Sequence, residues 1–181
     1  ENGGTDGTAQ FKPVGREMIR DAVLLVAETN SFDSAVLWLR GLQWDGKSRV
    51  NTFLSGYFKA ADTPYTRAVA KYWWTAMAGR VLSPGVQADM VPVLISPQGK
   101  QKSTGLLAMM PSPEHFFEID LGEKDDNIAR NMRGALLAEL GEMRGFSQRE
   151  QGHLKAFITR KYEKWVPKYR EFSASYARRC V

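Results

Sequence analysis

Hydrophobic residues recur at helical spacing early in the chain. Over residues 16–28, Ile19, Val23 and Val26 lie three or four positions apart, which is the spacing of one helix face. Leu24 and Leu25 widen the apolar stripe on that face. The pattern predicts a helix that buries this stripe against the rest of the protein.

A second helix is predicted from Pro64 to about Leu82. Thr63 can accept hydrogen bonds from the free amides of the first turn, and proline suits the first helical position. Trp73 and Met77 follow at helical spacing, and the Ser-Pro-Gly sequence at residues 83–85 ends the pattern. We therefore expect a helical module at residues 11–85, preceded by a flexible tail rich in glycine and threonine at residues 1–10.

The pattern changes after residue 85. Residues 89–95 form an apolar run of strand length, although Pro92 lacks the amide that a central strand needs. A polar loop with one glycine follows at residues 96–102, and helical composition resumes at residues 103–110. The order predicted here is strand, loop and helix.

A second strand is predicted at residues 135–138, and it ends in Glu139. The acidic residues between 111 and 127 have the composition of a loop. Ser147 and Glu150 have the spacing of a capping box, which predicts a helix behind them. The whole pattern predicts an α/β protein, in which the helical module leads into a core at residues 86–181.

Composition narrows the class of protein. Apolar residues make up 43% and charged residues 25%, as in an ordinary folded protein. The apolar runs are shorter than the about 20 residues of a membrane span, and the first residues lack the features of a secretory signal. With one cysteine and two histidines, neither an internal disulfide nor a structural metal site is expected. We expect a cytoplasmic protein without a membrane partner.

The net charge of +5 is concentrated near the C-terminus. Residues 155–181 contain eight basic and two acidic residues, with aromatic residues between them. That composition suits phosphate backbones and stacked bases, but a solvated basic face beside core aromatics explains it equally well. The candidate contacts to nucleic acid are Lys155, Arg160, Lys161, Lys164, Lys168 and Arg170.

The polar loop lies where nucleotide-binding proteins place a phosphate-binding loop, between a strand and a helix. Lys102 can reach phosphate oxygens, and the Ser103 hydroxyl can bind Mg²⁺. The strict pattern of such loops fails at two positions, because Ser96 and Gln101 replace its glycines. A polar connection without a ligand is the alternative. The candidate nucleotide-binding residues are Ser96, Pro97, Gln98, Gly99, Lys100, Gln101, Lys102, Ser103 and Thr104.

Two glutamates follow the second predicted strand. An acidic residue at a strand end beside a phosphate loop can orient Mg²⁺ or polarise the attacking water. Glu139 and Glu142 are both candidates for this catalytic role, and the sequence does not decide between them. A solvated glutamate at a helix start is the alternative.

Segments spread over nearly the whole chain resemble the virulence-associated E family, the primase-helicase-like ATPases of phages and mobile elements. These segments are residues 39–52, 62–68, 80–89, 93–104, 132–143, 153–160 and 178–181. The resemblance implies a P-loop ATPase core of the AAA+ or superfamily-three helicase kind after a helical region. The family pattern continues past Val181 into a sensor strand, so we expect a partial core that hydrolyses ATP poorly.

The resemblance also implies ATP and Mg²⁺ as cofactors and single-stranded DNA as the partner. By position in the family pattern, Lys102 is similar to the phosphate-binding lysine, and Ser103 and Glu139 to the magnesium-binding residues. Lys155 and Arg160 match basic positions near DNA or a neighbouring subunit, and a homo-oligomer is implied for the full-length protein. The alternative is an inactive module of the same fold that binds nucleic acid or a protein partner.

Overall fold

The computed structural model describes residues 13–141, 148–167 and 172–181. The predicted tail at residues 1–10 lies outside these ranges. The helices are α1 (Arg16–Thr29), α2 (Ser34–Gly41), α3 (Phe53–Phe58), α4 (Pro64–Leu82), α5 (Lys102–Leu107), α6 (Asp125–Asn131) and α7 (Gln148–Thr159). The strands are β1 (Phe116–Ile119), β2 (Leu137–Leu140), β3 (Tyr162–Trp165) and β4 (Ala174–Ala177). The protein therefore mixes helices and strands, with helices first, as the sequence predicts.

The strand β2 lies at the centre of a small parallel arrangement. On one side it pairs with β1, which places Phe116 opposite Leu137. On its other side the Val181 amide donates to the Leu136 carbonyl at 3.1 Å, and the Ala138 amide donates to the Val181 carbonyl at 3.0 Å. This hydrogen-bond pattern is that of parallel pairing, so the chain at Val181 has the same direction as β2.

One face of this sheet packs against the N-terminal helices. Phe116 and Leu137 belong to an apolar cluster with Trp73 of α4 and Leu106 of α5. Because side chains alternate between the faces of a strand, the glutamates two positions further along β1 and β2 lie on this same face. The cluster joins residues from both sides of the domain boundary predicted at residue 85, and that boundary itself stays a prediction.

The other face of the sheet packs against α6 and α7. Ile119 is buried there with Ile128 of α6 and Phe157 of α7. Helices thus cover both faces of the sheet, which is typical of parallel strands.

The helix α4 confirms its prediction at both ends. The Thr66 amide donates to the Thr63 hydroxyl at 3.2 Å, and the Thr63 amide donates to the Thr66 hydroxyl at 3.0 Å. These reciprocal bonds satisfy two amides at the helix start. Trp73, in the middle of α4, is only 2% exposed, so this helix is the central element of the apolar core.

A buried arginine ties α4 to two distant segments. The Arg80 guanidinium donates to the carbonyls of Val86 at 3.2 Å, Ala88 at 3.5 Å and Cys180. Burial lowers the pKa of Arg80, and the nearby charge of Arg178 lowers it further. Arg80 therefore holds the segment that leads to the polar loop beside the last residues of the chain.

The predicted burial of α1 is wrong. The helix occupies the predicted segment, but none of its side chains is buried, and Leu25 is 64% exposed. A helical pattern is set by neighbours along the chain, whereas burial needs a second element packed against the apolar face.

The segment containing α1 also has the length and composition of a membrane span. Among the described residues, the stretch that meets both criteria is Arg16–Gly41, which lies near the N-terminus. It is divided, because α1 ends at Thr29 and α2 begins at Ser34. Each of the two helices is shorter than the about 20 residues that cross a bilayer, and the absence of a membrane partner stays a prediction.

The prediction of a strand at residues 89–95 is wrong. The segment is irregular, and Ile95 is 92% exposed. Pro92 offers no amide, and no described strand pairs with this segment.

The other predicted elements of the core are shifted or confirmed. The second strand begins at Leu137, two residues later than predicted, and α5 ends at Leu107 rather than at residue 110. The helix expected after Ser147 is present as α7, but Ser147 itself lies outside the described residues.

Six of the described elements are missing from the sequence prediction, namely α2, α3, α6, β1, β3 and β4. The strand β1 lies inside the acidic stretch that has the composition of a loop, and α3 is only six residues long. The strands β3 and β4 pair antiparallel as a hairpin, with Tyr162 opposite Ala177. These elements are short, and short elements carry too few residues for a clear periodic signal.

Candidate functional site

The fold brings the polar loop and the end of β2 together. The Ser103 hydroxyl, in the first turn of α5, donates to Glu139 Oε1 at 2.9 Å. The two residues are 36 positions apart in the sequence. Ser103 therefore lies over the carboxyl end of the parallel strands, which is where open α/β sheets bind ligands.

Glu139 has a second oxygen that is ready for another partner. Its Oε2 atom is buried and accepts no hydrogen bond from the described residues. Buried carboxylate oxygens are normally paired with a donor or coordinate a cation. Carboxylate and hydroxyl oxygens are also the ligands that Mg²⁺ prefers, so Glu139 and Ser103 fit a hard divalent cation.

The Lys102 ammonium folds back onto its own loop. Its Nζ atom donates to Ser96 Oγ at 3.0 Å and to the Ser96 carbonyl at 3.3 Å. The lysine that the sequence assigns to phosphate is thus hydrogen-bonded to Ser96. An anionic ligand would have to replace Ser96 as the partner of Lys102.

The loop contains two residues with left-handed backbone. Gly99 has φ 79° and Gln101 has φ 53°. Gln101 stands where phosphate-binding loops have their second glycine, and a non-glycine residue in this region carries roughly 1–2 kcal/mol of strain. Ser96, at the position of the first glycine, is not among the described residues with positive φ. Only one of the two departures from the pattern is therefore strained.

Close packing fixes the position of α5. A Cβ atom added at Gly105 would lie 3.2 Å from Cε1 of Phe58, at the end of α3. Because Gly105 has no side chain, α5 can pack closely against α3. This packing keeps Ser103 near β2. The remaining loop residues predicted to bind nucleotide, which are Pro97, Gln98, Lys100 and Thr104, are exposed.

The second glutamate of the sequence prediction, Glu142, lies outside the described residues. Nothing in the structure compares it with Glu139. The choice between them as the catalytic residue therefore stays open.

The predicted nucleic-acid residues fall into different environments. Lys155, Lys161 and Lys164 are exposed. Lys168 and Arg170 lie outside the described residues.

Arg160 is held in an ion-pair network. Its guanidinium donates to Glu163 at 3.0 Å and to Asp125 at 3.1 Å. Burial lowers the pKa of Arg160, but these two carboxylates raise it overall. Glu163 also forms a buried pair with Arg178, so this network fastens α6 and α7 to the hairpin. Contact between Arg160 and nucleic acid stays a prediction.

The β3–β4 hairpin separates a buried face from an exposed one. On the inner face Trp165 stacks on Tyr176 with ring centres 3.9 Å apart, and the Arg133 guanidinium lies 4.8 Å from the Tyr176 ring. Tyr162 and Lys164 alternate with the buried residues and are exposed. The sequence does not show this alternation, because one of the two buried positions holds the charged Glu163 rather than an apolar residue.

Comparison with known families identifies most of the chain. Residues 39–181, about four fifths of the sequence, match the model of the virulence-associated protein E-like domain. The match includes the polar loop, Glu139 and the hairpin, whereas α1 precedes it. No curated protein matches the chain.

Proposed function

The chain belongs to the virulence-associated protein E-like domain family, and from that premise we propose that it binds ATP and Mg²⁺ as part of a DNA-replication helicase or primase-helicase of a phage or mobile element. The observation that carries this proposal is the hydrogen bond between Ser103 and Glu139. It joins the two segments whose residue types suit a nucleotide and its metal.

Each residue of the site has a distinct task in this proposal. Lys102 places a compact positive charge where it can pair with phosphate oxygens once it leaves Ser96. Ser103 and Glu139 supply a hydroxyl and a carboxylate for Mg²⁺. When bound, the metal neutralises charge on the phosphates. A carboxylate at this strand end can also orient the attacking water, and Glu139 or Glu142 would take that role.

The first prediction tests whether nucleotide binding depends on Lys102. A fluorescent ATP analogue is titrated with Mg²⁺ against the wild-type protein, Lys102→Ala and Lys100→Ala. Lys100 is the matched control because it is an exposed lysine of the same loop. We expect Lys102→Ala to weaken binding about tenfold or more, since a charge-assisted contact contributes roughly 1.5–3 kcal/mol. Lys100→Ala should stay within about twofold of wild type.

Equal and negligible binding by the wild type and Lys102→Ala would contradict the nucleotide proposal. That result would favour a second candidate function, an inactive module that binds nucleic acid or a protein partner. The strained Gln101 in place of glycine supports this candidate, as does the exposed face of the hairpin.

The hairpin supports DNA binding under either candidate. Tyr162 and Lys164 lie on its exposed face, and Phe172, just before β4, is 81% exposed. Exposed aromatic rings can stack on the bases of single-stranded DNA, while lysines pair with its phosphates.

The second prediction concerns Lys164 and single-stranded DNA. Fluorescence anisotropy with a labelled oligonucleotide is measured over a range of salt concentrations for the wild type, Lys164→Glu and Lys71→Glu. Lys71 is an exposed lysine on α4, so it controls for the change in net charge. Losing one phosphate contact should reduce the salt slope by about 0.7.

We expect Lys164→Glu to reduce both the affinity and the salt slope, and Lys71→Glu to change neither beyond the effect of net charge. Identical losses of affinity in the two variants would mean that DNA binding depends on the total charge of the protein rather than on the hairpin.

A further inference from the structure

A second carboxylate lies beside the proposed site. Glu118 of β1 is directly opposite Glu139 of β2 in the parallel register. Side chains at paired positions leave the same face of a sheet, and neighbouring strands are about 4.8 Å apart. The two side chains therefore start side by side on the face where Ser103 contacts Glu139.

Gly141 shows where the Glu118 side chain reaches. A Cβ atom added at Gly141 would lie 3.1 Å from Glu118 Oε1. Gly141 follows directly after β2, so the carboxylate of Glu118 extends past Glu139 toward the end of that strand. The missing side chain at Gly141 leaves room for it at the edge of the sheet.

The charge of this pair is not balanced within the described part of the chain. Neither Glu118 nor Glu139 forms an ion pair with another described residue. Lys102, the lysine at the start of α5, donates to Ser96 instead. Glu118 is exposed, whereas Oε2 of Glu139 is buried and has no donor among the described residues. A buried carboxylate oxygen is normally paired with a donor or coordinates a cation.

We propose that Glu118 is a second carboxylate ligand of the divalent cation at this site, together with Glu139 and Ser103. The identity of the cation as Mg²⁺ rests on the proposed function, but cation binding by these oxygens does not require a nucleotide. The sequence analysis missed Glu118, because it lies in the acidic stretch between residues 111 and 127 and its neighbour Glu139 is 21 positions away.

The experiment measures Mn²⁺ binding without nucleotide. Mn²⁺ is the probe because its free concentration is read directly by electron paramagnetic resonance. The wild type is compared with Glu118→Gln, Glu139→Gln and Glu123→Gln. Glu123 is the matched control, an exposed glutamate of the same acidic stretch outside the strands. Circular dichroism and thermal unfolding in EDTA establish that each variant is folded.

We expect Glu118→Gln and Glu139→Gln each to weaken Mn²⁺ binding by about tenfold or more, a loss that removal of even an indirect metal contact can cause. Glu123→Gln should stay within about twofold of wild type. Gly141→Ala should weaken binding less than Glu118→Gln does, because its methyl group would shift the Glu118 carboxylate by only a few tenths of an ångström and would change no charge.

Two results would overturn the proposal: wild-type protein that does not bind Mn²⁺, or a folded Glu118→Gln variant that binds it as the wild type does. The cation-site proposal does not fail if the nucleotide proposal fails. Mn²⁺ binding that depends on Glu118, in a protein that does not bind the ATP analogue, would retain the cation site and reject the nucleotide function. Lys102-dependent ATP binding with no effect of Glu118→Gln would reject the cation ligand alone.

Discussion

Gln101 has a left-handed backbone conformation, which glycine adopts more easily than a residue with a side chain. Its left-handed φ of 53° places the following residues, Lys102 and Ser103, at the start of α5. The strain at such a residue persists only when the surrounding structure determines the conformation. Gln101 therefore holds a backbone conformation that a glycine would adopt without strain.

The third prediction follows from this strain. Gln101→Gly should bind the fluorescent ATP analogue at least as tightly as the wild type, because the native backbone becomes accessible without strain. The free energy of unfolding should change by less than about 1 kcal/mol, since the relief of strain is offset by the greater freedom of glycine in the unfolded chain.

Ser96→Gly is the comparison variant, because Ser96 has no strained φ to relieve and its oxygen atoms accept hydrogen bonds from the Lys102 ammonium. Weaker nucleotide binding by Gln101→Gly than by the wild type would show that the glutamine side chain itself serves the site.

Asp33 carries out two tasks at the start of α2. Its side chain accepts a hydrogen bond from the Val36 amide at 3.1 Å and pairs with Arg179 near the end of the chain. The hydrogen-bonded Arg179 holds the pKa of Asp33 below its usual value, and the Val36 amide contributes to the same shift. Asp33 thus joins the N-terminal helices to the segment beside β2.

The fourth prediction is the pH dependence of this pair. Because the pKa of Asp33 is lower in the folded protein, the pair stabilises the fold above the ordinary value of about 4. That stabilisation disappears as pH falls through the lowered pKa. Asp33→Asn keeps a residue that caps helices well but loses the ion pair.

Denaturation in urea should show Asp33→Asn to be less stable than the wild type at pH 7, with a difference that shrinks below pH about 4. Arg179→Met should reproduce the same pH profile. A difference that stays constant with pH would show that the lost charge is not the cause.

At the scale of elements, α1 and α4 show that helical spacing and burial are separate properties. Both helices lie where the sequence predicts them, yet α4 buries Trp73 and Met77 whereas α1 buries no residue. The spacing of apolar residues in α1 predicts contacts with the core, but none of these residues is buried. We therefore expect the stability of the protein to depend on α4 and not on α1.

The fifth prediction compares proline substitutions in these two helices. Val23→Pro interrupts α1, and Ala70→Pro interrupts α4 at a residue that is fully buried. Proline inside a helix destabilises it by about 3 kcal/mol or more. Ala70→Pro should therefore unfold or severely destabilise the protein, whereas Val23→Pro should change the free energy of unfolding by less than about 0.5 kcal/mol.

Urea denaturation followed by tryptophan fluorescence measures both variants, because Trp73 reports on the core around α4. A large loss in Val23→Pro would mean that α1 contributes to the cooperative unit after all.

The strands show a second limit of local patterns. Residues 89–95 have the composition of a strand but no described partner, whereas β1 has an acidic neighbourhood and pairs along its whole length with β2. A strand exists only where another strand accepts its hydrogen bonds, so its sequence alone does not decide it.

At the scale of the whole molecule, β2 connects the parts of the proposed site. Its buried Leu137 and partly buried Ala138 and Leu140 join the cores on the two faces of the sheet, and its carboxyl end places Glu139 against Ser103. Arg80 and the Asp33–Arg179 pair hold the helices against the last residues that run along β2. The loop, the acidic strand end and the helical module are therefore parts of one packed structure.

The sequence by itself determined α4 with its cap and the polar loop with Lys102 and Ser103, because each depends on residues close together in the chain. It also determined the family resemblance, through the order of segments along the chain. Helical hydrogen bonds join residues four positions apart, so spacing and caps are sufficient to predict them. The tertiary structure alone decided which strands pair, that α1 stays exposed, and that Glu118 lies beside Glu139. These outcomes depend on contacts between residues far apart in the chain, and only packing brings such residues together.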